Sequence, residues 1–248
     1  MMIAKLLPPA ALAVLARTEK SWEALARVVL YRYLDLTVVN VLEKWLAVDR
    51  SEFFEHVHTL SCPTGPNRSE NINAFLNSHL KRFPKLSYLA LHRGPVPSTL
   101  SQSLAKNTLK VLKLQGCFIS FDMLVTLLNY FCKLKHLSLC YVTEKQSEAP
   151  SPRSRYHPEK LTLVGSRSPI HRELLNLSLV YKQLAFNLFL DNNTMGQDFT
   201  HFIDQSKGSL EYLEFGCNVI GVYHVSPMIC PTDRNPRFSF TSQSTNIP

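Results

Sequence analysis

A six-residue pattern, L-x-x-L-x-L, recurs along this chain and constrains its fold more than any other feature. It stands at Leu86, Leu89 and Leu91, at Leu109, Leu112 and Leu114, and at Leu134, Leu137 and Leu139, with a late copy at Leu210, Leu213 and Phe215. Weaker copies begin at Val57 (with Leu60 and Cys62), at Pro158 (with Leu161 and Leu163) and at Ala185 (with Leu188 and Leu190). Successive starts are 23 to 29 residues apart. In each copy the fourth and sixth positions are apolar and their neighbours mostly polar, the alternation of a short strand with one buried face. Helix-like stretches lie between copies, at residues 71–80, 121–131 and 198–203. A single unit of this length cannot bury its apolar face alone, so the units must stack.

Strand, turn and helix at this period predict an α/β fold: a leucine-rich-repeat solenoid, or horseshoe, over residues 37–220. Cys117, Asn193 and Asn218 occupy the ninth position of their copies, where the repeat consensus takes Cys or Asn. One segment leaves two readings open. Residues 174–179, Leu-Leu-Asn-Leu-Ser-Leu, also carry the pattern, but only 16 residues after the Pro158 copy. They form either an outer helix, or the true strand with the Pro158 copy in a loop. Residues 143–158 are rich in Ser, Pro, Glu and Arg and read as a flexible insertion. Residues 221–248 read as an irregular tail.

Composition narrows the function classes. Apolar residues make up 45% and charged residues 19% of 248, so an ordered core is expected. With only 8 glycines, collagen-like and glycine-loop nucleotide-binding designs are disfavoured. The net charge of +8 could attract nucleic acid or an anionic membrane. No long Lys/Arg run marks a nucleic-acid tract and no 18-residue apolar run marks a membrane helix, so neither partner is expected. Lys5 and the apolar residues after it mimic a signal peptide, but Pro8-Pro9 interrupts the run. The six cysteines are spread through apolar settings, which favours buried thiols in a reducing compartment, cytoplasm or nucleus. No G-x-S-x-G, Walker-type or H-E-x-x-H motif and no paired C-x-x-C occurs, so neither an enzyme nor a cofactor is expected. Cys132, His136 and Cys140 have the fourfold spacing of helical metal ligands, but His136 and Cys140 fall in or beside a predicted strand, which spoils that geometry.

Ahead of the repeats, residues 1–36 read as a separate helical unit. Pro8-Pro9 opens a segment with Leu12 and Leu15, Thr18 to Ser21 break it, and Trp22, Leu25, Val29 and Tyr33 form an apolar stripe beyond. Thr37 is placed to cap a third helix bearing Val38, Val41, Leu42, Trp45 and Leu46. The string Leu7-Pro8-Pro9-Ala10-Ala11-Leu12-Ala13-Val14-Leu15-Ala16-Arg17-Thr18-Glu19-Lys20-Ser21-Trp22 resembles the second half of an F-box. The run from Leu25 to Leu36, with its Leu30-Tyr31-Arg32, resembles the exit helix and the segment after it. With the repeats, the chain is similar to fungal F-box/leucine-rich-repeat proteins, with a truncated F-box: the opening helix with its L-P-x-E pattern is not among these residues. The resemblance implies a substrate-recognition subunit of a cullin–RING (SCF-type) ubiquitin ligase. It also implies contact with a Skp-type adaptor through Leu7, Pro8, Leu12, Leu15, Trp22 and Leu30.

Strand alternation then selects a binding face. The residues between the buried positions are Tyr88 and His92, Lys113 and Gln115, His136, Lys160 and Thr162, Asn187 and Asp191, and Tyr212 and Glu214. A basic middle with aromatic residues near both ends suits a protein substrate, acidic or phosphorylated. The alternative is a stand-alone leucine-rich-repeat scaffold that binds protein with no ligase attached.

Overall fold

Proline at the first position of a helix forfeits no hydrogen bond, because the N–H it lacks would have no partner there. In this computed structural model helix α1 (Pro9–Thr18) starts that way and α2 (Lys20–Leu30) follows it. The structure describes residues 9–18, 20–37, 51–65, 69–104, 108–144, 158–165, 170, 173–174, 181–188, 209–217 and 228–229. The chain divides into two compact units, residues 1–110 and 111–248.

In the first unit α2 leads into strand β1 (Tyr33–Asp35). Then come α3 (Ser51–Phe54), β2 (Thr59–Pro63), α4 (Ser69–His79), a 3-10 turn (Leu80–Arg82), β3 (Tyr88–Pro95) and α5 (Leu100–Ser103). The strands are parallel, with Leu34 beside Leu60 and Leu60 beside Leu89. Parallel neighbours need long crossovers, and the intervening helices supply them. Leu60, Cys62, Leu89 and Leu91 are wholly buried, and Phe54, Phe75 and Phe83 pack in the same core, with Phe54 and Phe83 ring centres 4.7 Å apart. Gly94 has a positive φ of 157°, and a Cβ there would lie 1.9 Å from the Thr64 carbonyl oxygen. Only glycine fits that crossing.

The second unit contains β4 (Val111–Ile119), α6 (Phe121–Tyr130), β5 (His136–Cys140), β6 (Thr143–Glu144), β7 (Lys160–Gly165), β8 (Gln183–Leu188), β9 (Tyr212–Cys217) and β10 (Met228–Ile229). Strands β4, β5, β7, β8 and β9 run parallel in chain order. Strand β10 closes against β9 antiparallel, and β6 pairs with the end of β4. One row of leucines crosses this sheet: Leu112, Leu137, Leu161, Leu184 and Leu213. The first four are fully buried and Leu213 nearly so. Ser120 caps α6, its hydroxyl accepting from the Met123 N–H at 3.3 Å. That helix buries Phe121, Leu124, Val125, Leu127 and Leu128, the i, i+3, i+4, i+7 stripe of a core-facing helix.

The expected leucine-rich-repeat horseshoe is corrected here. The fold is α/β, a parallel sheet with few helices among the described residues, and the chain divides into two units rather than running as one stack of like repeats. The physical reason lies in what the pattern encodes. L-x-x-L-x-L specifies a strand with one buried face and a buried leucine just before it, and its period sets crossover length. Neither dictates a regular outer element or a curvature.

Two register questions are settled as well. The strand falls on the Pro158 copy, as β7, while Glu173 and Leu174 are helical and Leu174 is buried. The copy placed at Ala185 is four residues late. Leu184 pairs with Leu161, and the buried Tyr181 holds the position taken by Leu134 and Leu109 in earlier copies. At the insertion, Thr143 and Glu144 form β6, and residues 145–157 lie outside the described residues. So do Val38, Val41, Leu42, Trp45, Leu46, Asn193 and Asn218. Thr37 is described, and its N–H and hydroxyl both donate to Asp35 Oδ1, at 2.9 and 2.6 Å.

Candidate protein-binding face

Parallel sheets are normally covered on both faces. In the second unit the residues alternating with the core stay partly exposed on β4 and β7: Val111, Lys113 and Gln115, then Lys160, Thr162 and Val164. Pairing aligns them in three rows. The first holds Val111, His136, Lys160, Gln183 and Tyr212; the second Lys113, Ser138, Thr162, Ala185 and Glu214. The third holds Gln115, Cys140, Val164, Asn187 and Gly216. Ser138 and Ala185 are small and buried, so the second row dips between the cation at Lys113 and the exposed carboxylate at Glu214.

Electrostatics refine the basic centre. Burial, and then the charge of adjacent Lys160, push the His136 imidazole down to about 4. At neutral pH His136 is therefore uncharged. It shares a 3.0 Å hydrogen bond with Thr162 Oγ1, and the fixed positive charge belongs to Lys113 and Lys160. Tyr212 donates to Glu214 Oε2 at 3.4 Å. Desolvation first, then the charge and hydrogen bond of Glu214, raise the Tyr212 phenol.

Tyr88 and His92 belong to the first unit, both partly exposed, and His92 Nε2 shares a 2.9 Å hydrogen bond with Ser61 Oγ. Asp191 lies outside the described residues, and Asn187 is placed by its backbone pairing with Val164. Alternation missed Gln183, because the β8 copy was set four residues late. It also missed Phe118, which is half exposed on β4. There Gly116, with φ of 63°, shifts the alternation so that Cys117 and Ile119 turn inward. Tyr141 at the end of β5 is equally exposed.

Of the residues expected to contact an adaptor, Leu7 and Pro8 lie outside the described residues. Leu12 falls within α1 and Trp22 within α2, and Leu15 and Leu30 are half-buried. His136 and Cys140 occupy the two ends of β5 rather than successive turns of a helix. Among the described residues no group of His, Cys, Asp or Glu is arranged to hold a metal ion, and no helix is long and apolar enough to cross a membrane. No family model, no curated protein and no solved structure matches the chain.

Proposed function

We propose that this chain is a non-catalytic protein-recognition subunit that holds a protein substrate against the open face of β4–β9 for ubiquitin transfer by a cullin–RING ligase. The observation that carries the reading is the face itself: a parallel sheet whose second side keeps cations, hydrogen-bonding groups and a shallow central row available to a partner. Lys113 and Lys160 stand two strands and two residues apart, about 12 Å between their backbones, a spacing that suits successive anionic groups of one extended segment. The ligase assignment rests on the F-box-like string in α1 and α2. Cys62, Cys117, Cys132 and Cys140 are free thiols, with Cys62 and Cys117 buried, in keeping with work in cytoplasm or nucleus.

Two measurements test the reading. A Skp-type adaptor co-purifies with the folded chain, and the double substitution Leu15→Ala, Trp22→Ala abolishes that association. Partner capture fails on Lys113→Glu with Lys160→Glu while the far-UV spectrum is unchanged. A folded chain that captures substrate but never adaptor removes the ligase from the proposal. Capture and salt dependence that survive the charge reversal remove the face.

A further inference from the structure

The residue just before each strand forms a row of its own at the N-terminal ends of the strands in each unit. In the second unit this row reads Lys135, Glu159, Lys182, Glu211, linked by backbone bonds from Lys160 N to Lys135 O, from Lys182 N to Glu159 O and from Glu211 N to Lys182 O. Its charges alternate and neutralise one another: Lys135 pairs with Glu159 at 3.7 Å and Lys182 with Glu211 at 3.6 Å. The equivalent row of the first unit reads Arg32, His58, Ser87, Lys110, linked in the same way by His58 N to Arg32 O and Ser87 N to His58 O, both 2.9 Å, and by Lys110 N to Ser87 O at 2.8 Å. Here the signs do not alternate. Lys85 adds a further fixed cation, and among the described residues no carboxylate lies within ion-pair distance of Arg32 or Lys85. Glu55 stands 3.8 Å from His56 Nε2.

Packing and backbone bonds hold this edge. Tyr31, next to Arg32, stacks on the buried Phe53 with ring centres 4.1 Å apart. The His58 carbonyl accepts from Ser87 N, Tyr88 N and Ser87 Oγ. Lys85 stands two residues before Ser87, whose N–H donates to the His58 carbonyl; burial, followed by the charges of Arg32, Lys85 and His56, lowers the His58 imidazole below its ordinary range.

From this contrast we propose that the N-terminal edge of the first unit's sheet, Arg32 and Lys85 flanking His58, is a binding site for a phosphoryl group. Two fixed cations match a phosphoryl dianion, Arg32 offers a planar fork of donors, and His58 can add a third partner once protonated. The site does not depend on the ligase reading, and its residues lie outside the β4–β9 face.

The test follows the His58 imidazole by NMR titration. The ligands are inorganic phosphate, a phosphoserine peptide and its serine counterpart, each against chloride at equal ionic strength. A bound phosphoryl group favours the imidazolium and raises the His58 midpoint by about one unit, the size expected for an opposite charge at close range. The serine peptide and chloride leave it in place. A shift at lower concentration with the phosphopeptide assigns the group to a phosphorylated side chain, and equal potency assigns it to free phosphate. Arg32→Gln with Lys85→Gln raises the ligand-free midpoint, since two repelling cations are gone, and abolishes the phosphate response. Lys135→Gln changes neither. A His58 midpoint that ignores phosphate in the folded protein overturns the site. So does a response matched by chloride, or a single-stranded RNA that outcompetes the phosphopeptide.

Discussion

Truncating Leu137 to alanine tests which side of the second unit's strands is the core. Leu137 is wholly buried, sits between Leu112 and Leu161 in the leucine row, and lies on the centrally placed strand β5. Flanked on both sides by other buried leucines, the site has little room to collapse, so the loss of transfer energy and the residual cavity together cost about 2–5 kcal/mol. With a urea m-value of about 2 kcal/mol/M, the midpoint falls by about 1–2.5 M. The comparison is Lys113→Ala, one strand away but on the open face, where a surface truncation costs within about 0.5 kcal/mol. Far-UV circular dichroism supplies the melt, since both tryptophans, Trp22 and Trp45, precede residue 110 and report on the first unit. Equal midpoint losses at Leu137 and Lys113 refute the assignment of faces, and with it the candidate binding surface.

Other outcomes follow from the same geometry. Between about pH 6.5 and about 4 the unfolded chain binds a proton at His136 that the folded chain does not, so stability falls as pH drops through that window and levels off below it; in His136→Gln the urea midpoints lose that part of the decline. Gly94→Ala forces a Cβ into the Thr64 carbonyl and costs more than about 1 kcal/mol, read as a lowered melting temperature. Ser120→Ala removes the cap of α6 and costs about 1 kcal/mol in the same melts. Phe118→Ser and Tyr141→Ser, both on half-exposed rings, leave stability nearly unchanged and weaken partner capture if the strand ends share the binding face.

Strand positions could be read from sequence wherever leucine filled the buried sites. The copies at Leu86, Leu109, Leu134 and Leu210 fall on β3, β4, β5 and β9, and even the weak copies at Val57 and Pro158 fall on β2 and β7. The reading failed at β8 for a chemical reason. Burial asks for apolar volume rather than for leucine, and Tyr181 and Phe186 supply it, while the leucines that mimic the pattern, Leu188 and Leu190, lie four residues further on. Strand β1 escaped for a different reason. Three residues with a single buried leucine carry too little alternation to stand out, and only pairing with β2 makes Tyr33–Asp35 a strand.

The site divides along the same line. Which side chains face away from the core is a matter of parity, and parity placed Lys113, Gln115, His136, Lys160, Thr162, Tyr212 and Glu214 on one face of the second unit. What each contributes depends on neighbours brought from other strands, which no local pattern records. His136 counted as a cation in the sequence. In the structure Lys160 stands beside it and burial removes the water that would stabilise a second positive charge, so it serves as a neutral hydrogen-bonding group at physiological pH. The N-terminal edge of the first unit shows the same limit more sharply. Arg32, His58 and Lys85 are isolated basic residues along the chain, spaced too widely to form a charged run. Strand pairing alone gathers them, while the equivalent row of the second unit gathers opposite charges that cancel. Periodicity therefore carries the sheet, and cross-strand pairing creates the chemistry of its faces and edges.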